Sequence, residues 1–347
     1  MNVKETLAFD DVLLTPKYSK IESRKSIDIS SRLSRCVLST PIISSPMDTV
    51  TETDMVVAMD NAGGLGIVHR YNTVAEQARI IHNAHINGSK NIGAAVGVSG
   101  DYLDRAKAAV VAGANILCVD IAHGHHFLMK NALKCLRSSV DESIQIIAGN
   151  VATLEAFNDL ADWGADAIRV GIGGGSICST RIQTGHGIPT FQSIVDCAAS
   201  DRSASIIADG GIKTSGDVSK AIAAGADFVM LGSMLAGTDE SPGEVMTSPE
   251  IVNGKQVYSK FKVYRGMASV EAQIDWRGHT ASVEGVTSTV RYKGPVCNIL
   301  EDITRGLKSG MSYSGSSSIT EFQCKATFIR QTSSGQIESS THINLLS

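Results

Sequence analysis

The amino-acid sequence predicts an α/β fold of the closed (β/α)8 type, the TIM barrel. Eight short apolar, β-rich runs recur along the chain, and stretches with helical spacing of apolar residues separate most of them. Short apolar strands that alternate with single helices form parallel sheets covered by helices. Eight units at roughly 22–30-residue spacing fit a closed barrel better than an open doubly wound sheet. The predicted strands are residues 41–45, 64–69, 92–98, 116–122, 144–150, 167–173, 204–211 and 228–233.

The clearest helices between these strands are TDMVVAMDNAG, YLDRAKAAVVAGA, LEAFNDLADWGA and SGDVSKAIAAGA. Several end on Gly-Ala, which is typical of helix C-caps. Active sites of such barrels lie where the strands end. The predicted strands end on polar and glycine-rich tails, SSPMD, VHR, VDIAHGHH, GNVAT, GIGGGSIC, ADGG and LGS, which should share one rim. Turn formation alone would explain isolated glycines there, but not a thiol, an acid and a histidine on the same face.

We expect one barrel domain over residues 1–347, with two long connections and a tail. Residues 173–203 hold a cysteine loop and a following helix, and residues 237–295 form a polar excursion, or flap, without a clear barrel unit. Long irregular connections in compact domains tend to be functional loops or lids. Residues 309–347, rich in Ser, Gly and Thr, are expected to be partly ordered or to contact another subunit.

Composition argues against several classes of protein. The chain is 43% hydrophobic and 19% charged, and it lacks an apolar run near the ~18 residues of a membrane span. Its first residues have no apolar core of the signal-peptide kind, so we expect a cytoplasmic protein without membrane partners. A net charge of −4 without a Lys/Arg cluster argues against nucleic acid. Seven cysteines without a CxxC pair fit a reducing compartment.

The stretch GIGGGSICSTRIQTGHG, residues 171–187, places a thiol in a loop that is poor in side chains. A cysteine reacts as its thiolate, which exposure and nearby backbone N–H groups favour. Gly173, Gly174, Gly175 and Ser176 are typical of a phosphate-facing nest, which would present Cys178 beside whatever carries the phosphate. From composition alone, a tight turn around a buried cysteine fits this stretch equally well.

Two other strand ends offer matching groups. Asp209, before Gly210 and Gly211, suits the hydroxyls of a ribose, and Gly232 with Ser233 supplies further phosphate donors. A helix N-cap is the alternative role for Asp209. One phosphate, one ribose and one thiol on the same rim indicate a nucleoside monophosphate that is attacked on its base.

With these motifs the chain resembles the family of IMP dehydrogenases and GMP reductases over nearly its whole length. The matching motifs are FDDVLLTP, ISSPMDTVTE, GGLGIVHR, DIAHGH, GNVAT, GIGGGSICSTR, IIADGGIKTSGD, VMLGSMLAGTDESPGE and YRGMAS. The resemblance implies a (β/α)8 barrel, a homotetramer and an oxidoreductase reaction at position 2 of a purine nucleoside monophosphate.

The resemblance also implies a role for each matched residue. Cys178 would bond C2 of the purine while hydride moves between C2 and the nicotinamide of NADP or NAD, and Thr180 with Glu284 would handle ammonia or water. The implied substrate-binding residues are Ser45, Met47, Ser176, Asp209, Gly210, Gly211, Gly232, Ser233, Tyr264, Gly266 and Met267. The implied cofactor-binding residues are Arg70, Asp120, Ile121, Ala122, Asn150 and Gly171.

Four further assignments leave an alternative open. A monovalent cation, K+, would bind at Gly173, Gly175 and Cys178, where Gly-Gly-Gly replaces the family's more usual Gly-Pro-Gly and loosens the loop. A surface ion pair fits Arg70 as well as a cofactor phosphate does. Without the resemblance, Glu284 would be taken as a solvated loop acid. The histidines of DIAHGHH suggest a metal cluster, whereas the resemblance makes them part of a cofactor-side loop: His123, His125 and His126.

The direction of the reaction depends on the flap. Dehydrogenases of this family usually carry an Arg-Tyr pair on the flap, whose arginine acts as base on water, and two inserted regulatory domains. Between Tyr264 and Gly294 this chain has only a short segment similar to that of GMP reductases, and its Arg291-Tyr292 lies past Glu284. The resemblance therefore favours GMP reductase, which converts GMP and NADPH into IMP, ammonia and NADP+.

Other features keep alternatives open. Thr184 matches the reductases, but ISSPMDTVTE, GGLGIVHR and the tail GQIESSTHI at 335–343 are more similar to IMP dehydrogenase, which converts IMP, NAD+ and water into XMP and NADH. A non-catalytic guanine-nucleotide-binding relative is a second alternative, against which the combination of Cys178, Thr180 and Glu284 argues. A flavin-dependent barrel with the same phosphate-binding rim is a third.

Overall fold

A computed structural model describes residues 3–252, 254–280 and 284–339. Short 3-10 turns at Phe9–Asp11 and Arg24–Ser26 precede the barrel. The strands are, in chain order, β1 (Val12–Leu14), β2 (Ser31–Leu33), β3 (Cys36–Leu38), β4 (Ile42–Ser44), β5 (Leu65–Val68), β6 (Ile92–Val96), β7 (Ile116–Asp120), β8 (Gln145–Val151), β9 (Ala167–Val170), β10 (Ser205–Asp209), β11 (Phe228–Leu231), β12 (Met246–Val252), β13 (Lys255–Arg265), β14 (Thr287–Arg291) and β15 (Phe328–Arg330).

Most barrel strands are followed by a helix on the outside of the barrel. The helices are α1 (Thr53–Asn61), α2 (Val74–Ile86), α3 (Tyr102–Ala112), α4 (Phe127–Ser139), α5 (Leu154–Asp162), α6 (Thr180–Thr184), α7 (Thr190–Cys197), α8 (Ser215–Ala223), α9 (Val270–Arg277), α10 (Val296–Tyr313), α11 (Ile319–Lys325) and α12 (Ser333–Glu338). In the described part of the chain, no helix is both long and apolar enough to span a bilayer.

Strands β4 to β11 pair in parallel and close into a barrel, with β11 beside β4. The predicted (β/α)8 fold is therefore confirmed. Each of the eight predicted runs overlaps one barrel strand, and most runs extend past the strand into the rim. The run 167–173 is an example, because the strand ends at Val170 and Gly171 turns out of the ladder with φ at 147°.

The hairpin of β2 and β3 covers the N-terminal end of the barrel. Leu33 and Leu38 are buried in one cluster with inward-facing strand residues such as Ile43 and Ile147. The backbone around the hairpin bonds to side chains at strand starts, as in the 3.0 Å bond from the Ser205 hydroxyl to the Arg32 carbonyl. The opposite, C-terminal end of the barrel remains open to receive a ligand.

The excursion at residues 237–295 has its own secondary structure. Strands β12, β13 and β14 form a three-stranded antiparallel sheet, and α9 lies between β13 and β14. The sequence analysis predicted a polar excursion without a barrel unit here, and it did not identify this separate sheet. Strand β13, KQVYSKFKVYR, does alternate Val257, Phe261 and Val263 with polar residues, which is a half-buried strand pattern.

Candidate active site

A cavity of about 660 Å³ lies at the C-terminal end of the barrel strands. All of the residues that the sequence analysis assigned to substrate, cofactor, cation and catalysis line this one cavity. They are Ser45, Met47, Arg70, Asp120, Ile121, Ala122, Asn150, Gly171, Gly173, Gly175, Ser176, Cys178, Thr180, Asp209, Gly210, Gly211, Gly232, Ser233, Tyr264, Gly266, Met267 and Glu284.

Three side chains form a continuous hydrogen-bonded chain beside the cavity. The Cys178 thiol lies 3.1 Å from the Thr180 hydroxyl, to which it donates. The Thr180 hydroxyl in turn donates to Glu284 Oε2 at 2.8 Å. This arrangement connects the sulfur to a carboxylate through one hydroxyl, which is a path along which a proton can move.

Backbone pairing between the cysteine loop and the flap brings Glu284 to this position. Ser179 N–H donates to the Glu284 carbonyl at 3.0 Å, and Val286 N–H donates to the Ile177 carbonyl at 3.1 Å. A Cβ on Gly285 would lie 2.9 Å from the Ser269 nitrogen, so the flap can approach this closely only with glycine there. The separation of 104 residues between Thr180 and Glu284 hides this contact from local sequence patterns.

The glycines of the cysteine loop pack directly against those after β10. A Cβ on Gly210, whose φ is 86°, would lie 2.9 Å from the Gly175 nitrogen and from the Gly174 carbonyl carbon. Two backbone segments therefore meet without side chains between them. Such a junction exposes amide N–H groups to a ligand, as an anion-binding nest requires.

Gly232 creates a second close approach at the end of β11. A Cβ there would lie 3.0 Å from the Tyr264 hydroxyl, 3.3 Å from Met47 Sδ and 3.4 Å from the Ser45 hydroxyl. Burial raises the pKa of Tyr264, although its hydrogen bond with Ser176 opposes that shift. The phenol is therefore neutral at physiological pH and can donate to a ligand oxygen.

A buried arginine, which the sequence analysis did not select, joins the two predicted binding regions. Arg169 in β9 is 7% exposed, and its guanidinium bonds to Asp209 at 2.9 Å and to Asp120. Burial opposes its charge, but Asp209 and Asp120 outweigh burial and raise the pKa of Arg169 well above its ordinary value. Asn150 Nδ2 also donates to Asp209, at 2.7 Å. The available signal for Arg169 was its position as the one charged residue of the otherwise apolar strand AIRV.

Arg70 lies on the other side of Asp120. Its Nη2 donates to the Asp120 carbonyl at 3.2 Å, and its guanidinium lies 5.5 Å from the Tyr71 ring centre and 5.6 Å from that of Trp276. The side chain is 16% exposed. Arg70 is thus packed between the barrel rim and α9, and its Nε lies 3.9 Å from Asp120 Oδ2, so the ion pair considered above is present but is largely withdrawn from the surface.

The histidines of DIAHGHH have partners of their own. His125 Nε2 lies 2.9 Å from Asp159 Oδ2, and the His126 ring accepts from Leu128 N–H at 3.2 Å as the N-cap of α4. Within the described ranges, no group of three or more His, Cys, Asp or Glu side chains is placed to hold a metal ion.

The K+ site stays a prediction. The Gly175 carbonyl accepts the Cys178 N–H at 3.1 Å, and a carbonyl oxygen keeps a second lone pair for a cation. Part of the tail that the resemblance would add, residues 340–343, lies outside the described residues.

The cavity also has walls that sequence reasoning missed. Phe9 and Asp10 come from the N-terminal segment, and Lys213, which donates to Asp10 at 2.7 Å, follows the ADGG rim. Thr190 starts α7 below Gly174. Phe9, Asp10 and Lys213 stand in motifs that match the family, but the sequence analysis gave them no role, and only the folded chain places them at the cavity.

Comparison with known proteins identifies the family to which this chain belongs. The model of the IMP dehydrogenase / GMP reductase domain matches residues 6–342. The chain belongs to this family. It is therefore an oxidoreductase, in a family whose members act on purine nucleoside monophosphates with a nicotinamide cofactor.

Relatives in the family carry both names. An inosine-5′-monophosphate dehydrogenase of Nitrosopumilus maritimus is 36% identical over the whole of both chains. A GMP reductase of Leishmania major is 34% identical over 97% of each chain. Because those alignments span 486 and 484 positions, both relatives contain segments that this chain of 347 residues lacks.

A GMP reductase of known structure is also similar to this chain. A cysteine-to-alanine GMP reductase from Trypanosoma brucei, in complex with guanosine 5′-monophosphate, superposes with a TM-score of 0.90. It is 33% identical and covers 99% of this chain and 98% of its own. The two molecules therefore share one overall fold.

Proposed function

We propose that this chain is a GMP reductase, which converts GMP, NADPH and a proton into IMP, ammonia and NADP+. The observation that carries the proposal is the hydrogen-bonded chain Cys178–Thr180–Glu284 combined with the environment of the cavity arginines. The hydrogen-bonded chain supplies a nucleophile and a path for a proton. The cavity arginines supply no base that could activate water for hydrolysis.

The arginines that line the cavity are the reason for proposing the reductase direction over the dehydrogenase direction. Among the side chains that the structure describes, Arg70, Arg169 and Arg181 line the cavity. Arg70 and Arg169 both bond to Asp120. Arg181 donates to two loop carbonyls, and its distance to the Ile188 carbonyl is 2.7 Å. A guanidinium held in this way stays charged and is a poor base for water.

The Arg291-Tyr292 pair lies elsewhere. Arg291 bonds to Glu250 at 2.9 Å, and the Tyr292 hydroxyl donates to Asp239. Neither residue lines the cavity. The pair is therefore occupied in the flap sheet, which supports setting it aside as the base of a dehydrogenase.

In the proposed reaction the Cys178 thiolate attacks C2 of GMP and forms a C–S bond. The relay of Thr180 and Glu284 delivers a proton to the amino group, which leaves C2 as ammonia. A nicotinamide cofactor, when bound, supplies hydride to C2, and the C–S bond then breaks to regenerate the thiolate and release IMP. One C–N bond is exchanged for one C–H bond, and NADPH is the reductant.

The remaining cavity residues hold the two ligands in this proposal. The amides around Ser176, Gly211, Gly232 and Ser233 would accept the 5′-phosphate, and Asp209 would accept the ribose hydroxyls. Asp120, Asn150 and Gly171 would contact the nicotinamide riboside. The half-buried Asp209 and Asp120, bridged by Arg169, fit neighbouring ribose groups because each carboxylate can accept hydroxyl donors.

IMP dehydrogenase is the second candidate, and the 36% identity to the dehydrogenase of Nitrosopumilus maritimus favours it. Nicotinamide absorbance separates the two. Purified protein is supplied with GMP and NADPH, then with IMP and NAD+, and each product is identified.

Consumption of NADPH with release of ammonia supports the reductase, whereas NADH production with XMP overturns that direction. Cys178→Ala should lower either activity by at least about 10⁴-fold, because the covalent bond to C2 can no longer form. The exposed thiol variant Cys297→Ala is the matched control and should retain full activity. A Cys178→Ala protein that still turns over would contradict the covalent mechanism.

A further inference from the structure

The turn after β11 carries Gly232 and Ser233, the predicted donors to the 5′-phosphate. It is a single helical turn, since the Gly232 carbonyl accepts from Leu235 N–H at 3.0 Å and from Ala236 N–H at 2.9 Å. The first N–H groups of such a turn have no acceptor within it. Gly232 and Ser233, at the start of this turn, form part of the cavity wall.

A lysine occupies the opposite end of the same turn. Lys293 Nζ donates to the Ser233 carbonyl at 2.6 Å and to the Met234 carbonyl at 3.1 Å. Lys293 itself does not line the cavity. A cation at the C-terminal carbonyls of a helical turn stabilises the turn and favours an anion at its N-terminal amides.

The ammonium of Lys293 is not neutralised by an acid. The described residues give the exposed Lys293 side chain carbonyl partners only, and partial desolvation of the ammonium lowers the pKa of Lys293, with no carboxylate contributing. Most other lysines and arginines of the site have acidic partners, such as Asp10 for Lys213 and Asp120 for Arg169. A positive charge without a counterion therefore stands directly behind the predicted phosphate-binding turn.

Lys293 also connects this turn to the catalytic flap. Its backbone N–H donates to the Gly237 carbonyl at 2.9 Å, and the Asp239 N–H donates to the Gly294 carbonyl at 3.0 Å. The strand β14 runs between Glu284 and Lys293. One short stretch of chain thus carries the relay acid at one end and a contact to the phosphate turn at the other.

We propose that Lys293 is a positioning residue for the 5′-phosphate of the substrate, acting through the carbonyls of Ser233 and Met234 without touching the ligand. The proposal rests on the proposed function, because it takes that phosphate to lie at the amides of Gly232 and Ser233. It adds a residue of the flap strand to the groups that determine nucleotide affinity.

The test compares a ligand with and without the phosphate. Binding of IMP is measured by calorimetry without cofactor, and binding of inosine by its competition with IMP. For Lys293→Met we expect the Kd of IMP to rise about tenfold while the Kd of inosine stays unchanged. In turnover, the KM for GMP should carry most of the effect and kcat little of it.

Three variants separate the causes. Lys293→Arg keeps the charge and should bind IMP nearly as wild type does, whereas Lys293→Gln keeps a donor without the charge and should resemble Lys293→Met. Lys107→Met removes an exposed lysine from α3 and controls for net charge. Thermal melts identify any variant that fails to fold. If Lys293→Met does not fold, the comparison of Lys293→Gln with Lys293→Arg tests the proposal.

The outcomes distinguish the two proposals. Unchanged IMP affinity in Lys293→Met and Lys293→Gln, or an equal loss for IMP and inosine, overturns the role of Lys293 and leaves the reductase proposal intact. Wild-type protein that binds neither IMP nor GMP overturns the proposed function, and the role of Lys293 with it.

Discussion

At the scale of single residues, the proposed chemistry depends on the Thr180 hydroxyl, which lies between a thiol and a carboxylate. Glu284→Gln keeps the size of that side chain and one oxygen but removes the group that exchanges protons. We expect kcat for GMP reduction to fall about 10²–10³-fold, since general acid catalysis contributes on that order. GMP affinity should change little, because Glu284 reaches the substrate only through Thr180 in the proposed relay.

Steady-state kinetics with GMP and NADPH and calorimetric GMP binding measure the two quantities separately. Glu244→Gln alters an exposed acid of the same excursion and serves as the control. A Glu284→Gln enzyme with wild-type kcat would remove the relay from the mechanism.

Site residues whose type and position at a strand end indicate a chemical role were predictable from the sequence. Cys178, Asp209 and the glycines stand at predicted strand ends, and parallel strands in a barrel bring their C-terminal ends to one rim. Arg169 was missed because burial of its charge depends on Asp120 and Asp209, which come from two other strands. Lys293 was missed because its partners lie about 60 residues earlier in the chain.

At the scale of elements, neighbouring strands are joined at their N-terminal ends by side chains as well as by backbone. Asp227, just before β11, accepts the N–H of Ile206 in β10 at 2.7 Å, and its own N–H donates to the Ile206 carbonyl at 2.9 Å. Burial raises the pKa of Asp227 to about 6, and the bond from Ile206 reduces that shift without cancelling it. The folded chain therefore favours the protonated carboxyl.

This shift predicts how stability changes with pH. The unfolded carboxyl has an ordinary pKa near 3.8, so between about pH 4 and pH 6 the folded state binds more protons than the unfolded state. The contribution of Asp227 to the free energy of unfolding therefore falls as pH rises through this window, and the loss is complete above it. Asp227→Asn keeps an acceptor for Ile206 and cannot ionise, so it should match wild type at pH 4 and exceed it by about 2 kcal/mol at pH 7.

Urea unfolding at several pH values and one protein concentration checks this difference. Asp302→Asn, whose carboxyl is 77% exposed, provides the reference and should show no such trend. An Asp227→Asn variant that is less stable than wild type at pH 7 would mean that the charged form is the stabilising one.

Elements with strong periodicity were predicted well, and the flap was not. The barrel strands are apolar on both faces because helices cover one face and the barrel interior the other, which makes each run easy to find. Strands β12 to β14 lie on the surface, with residues such as Ile251 and Tyr258 exposed at 81% and 70%. Apart from the alternation in β13, their sequence has no continuous apolar face, so propensity alone could not separate β12 and β14 from loop.

At the scale of the whole molecule, strands near the two ends of the described chain pair with each other close to the candidate cavity. Strand β1 pairs with β15 in antiparallel register, although more than 300 residues separate them. Next to this pairing, Phe191 stacks edge-on against Phe9 at 5.8 Å and against Phe328 at 5.0 Å. The Phe9 ring lies 3.6 Å from the Cβ position of Gly211, so the aromatic cluster supports the wall at the predicted phosphate.

Phe328→Ala tests whether this joining of the termini also shapes the site. Removing a partly buried ring from the cluster should cost about 2 kcal/mol of unfolding free energy, below the cost of a fully buried phenylalanine. Because Phe9 loses support through Phe191, the wall at Gly211 should loosen and the KM for GMP should rise, whereas kcat should be retained. Ile329→Ala is the matched control, since its side chain points to the other face of β15 and is 52% exposed. Urea unfolding and steady-state kinetics on both variants give the comparison. If Phe328→Ala loses stability with an unchanged KM, the terminal strands stabilise the barrel without positioning its substrate wall.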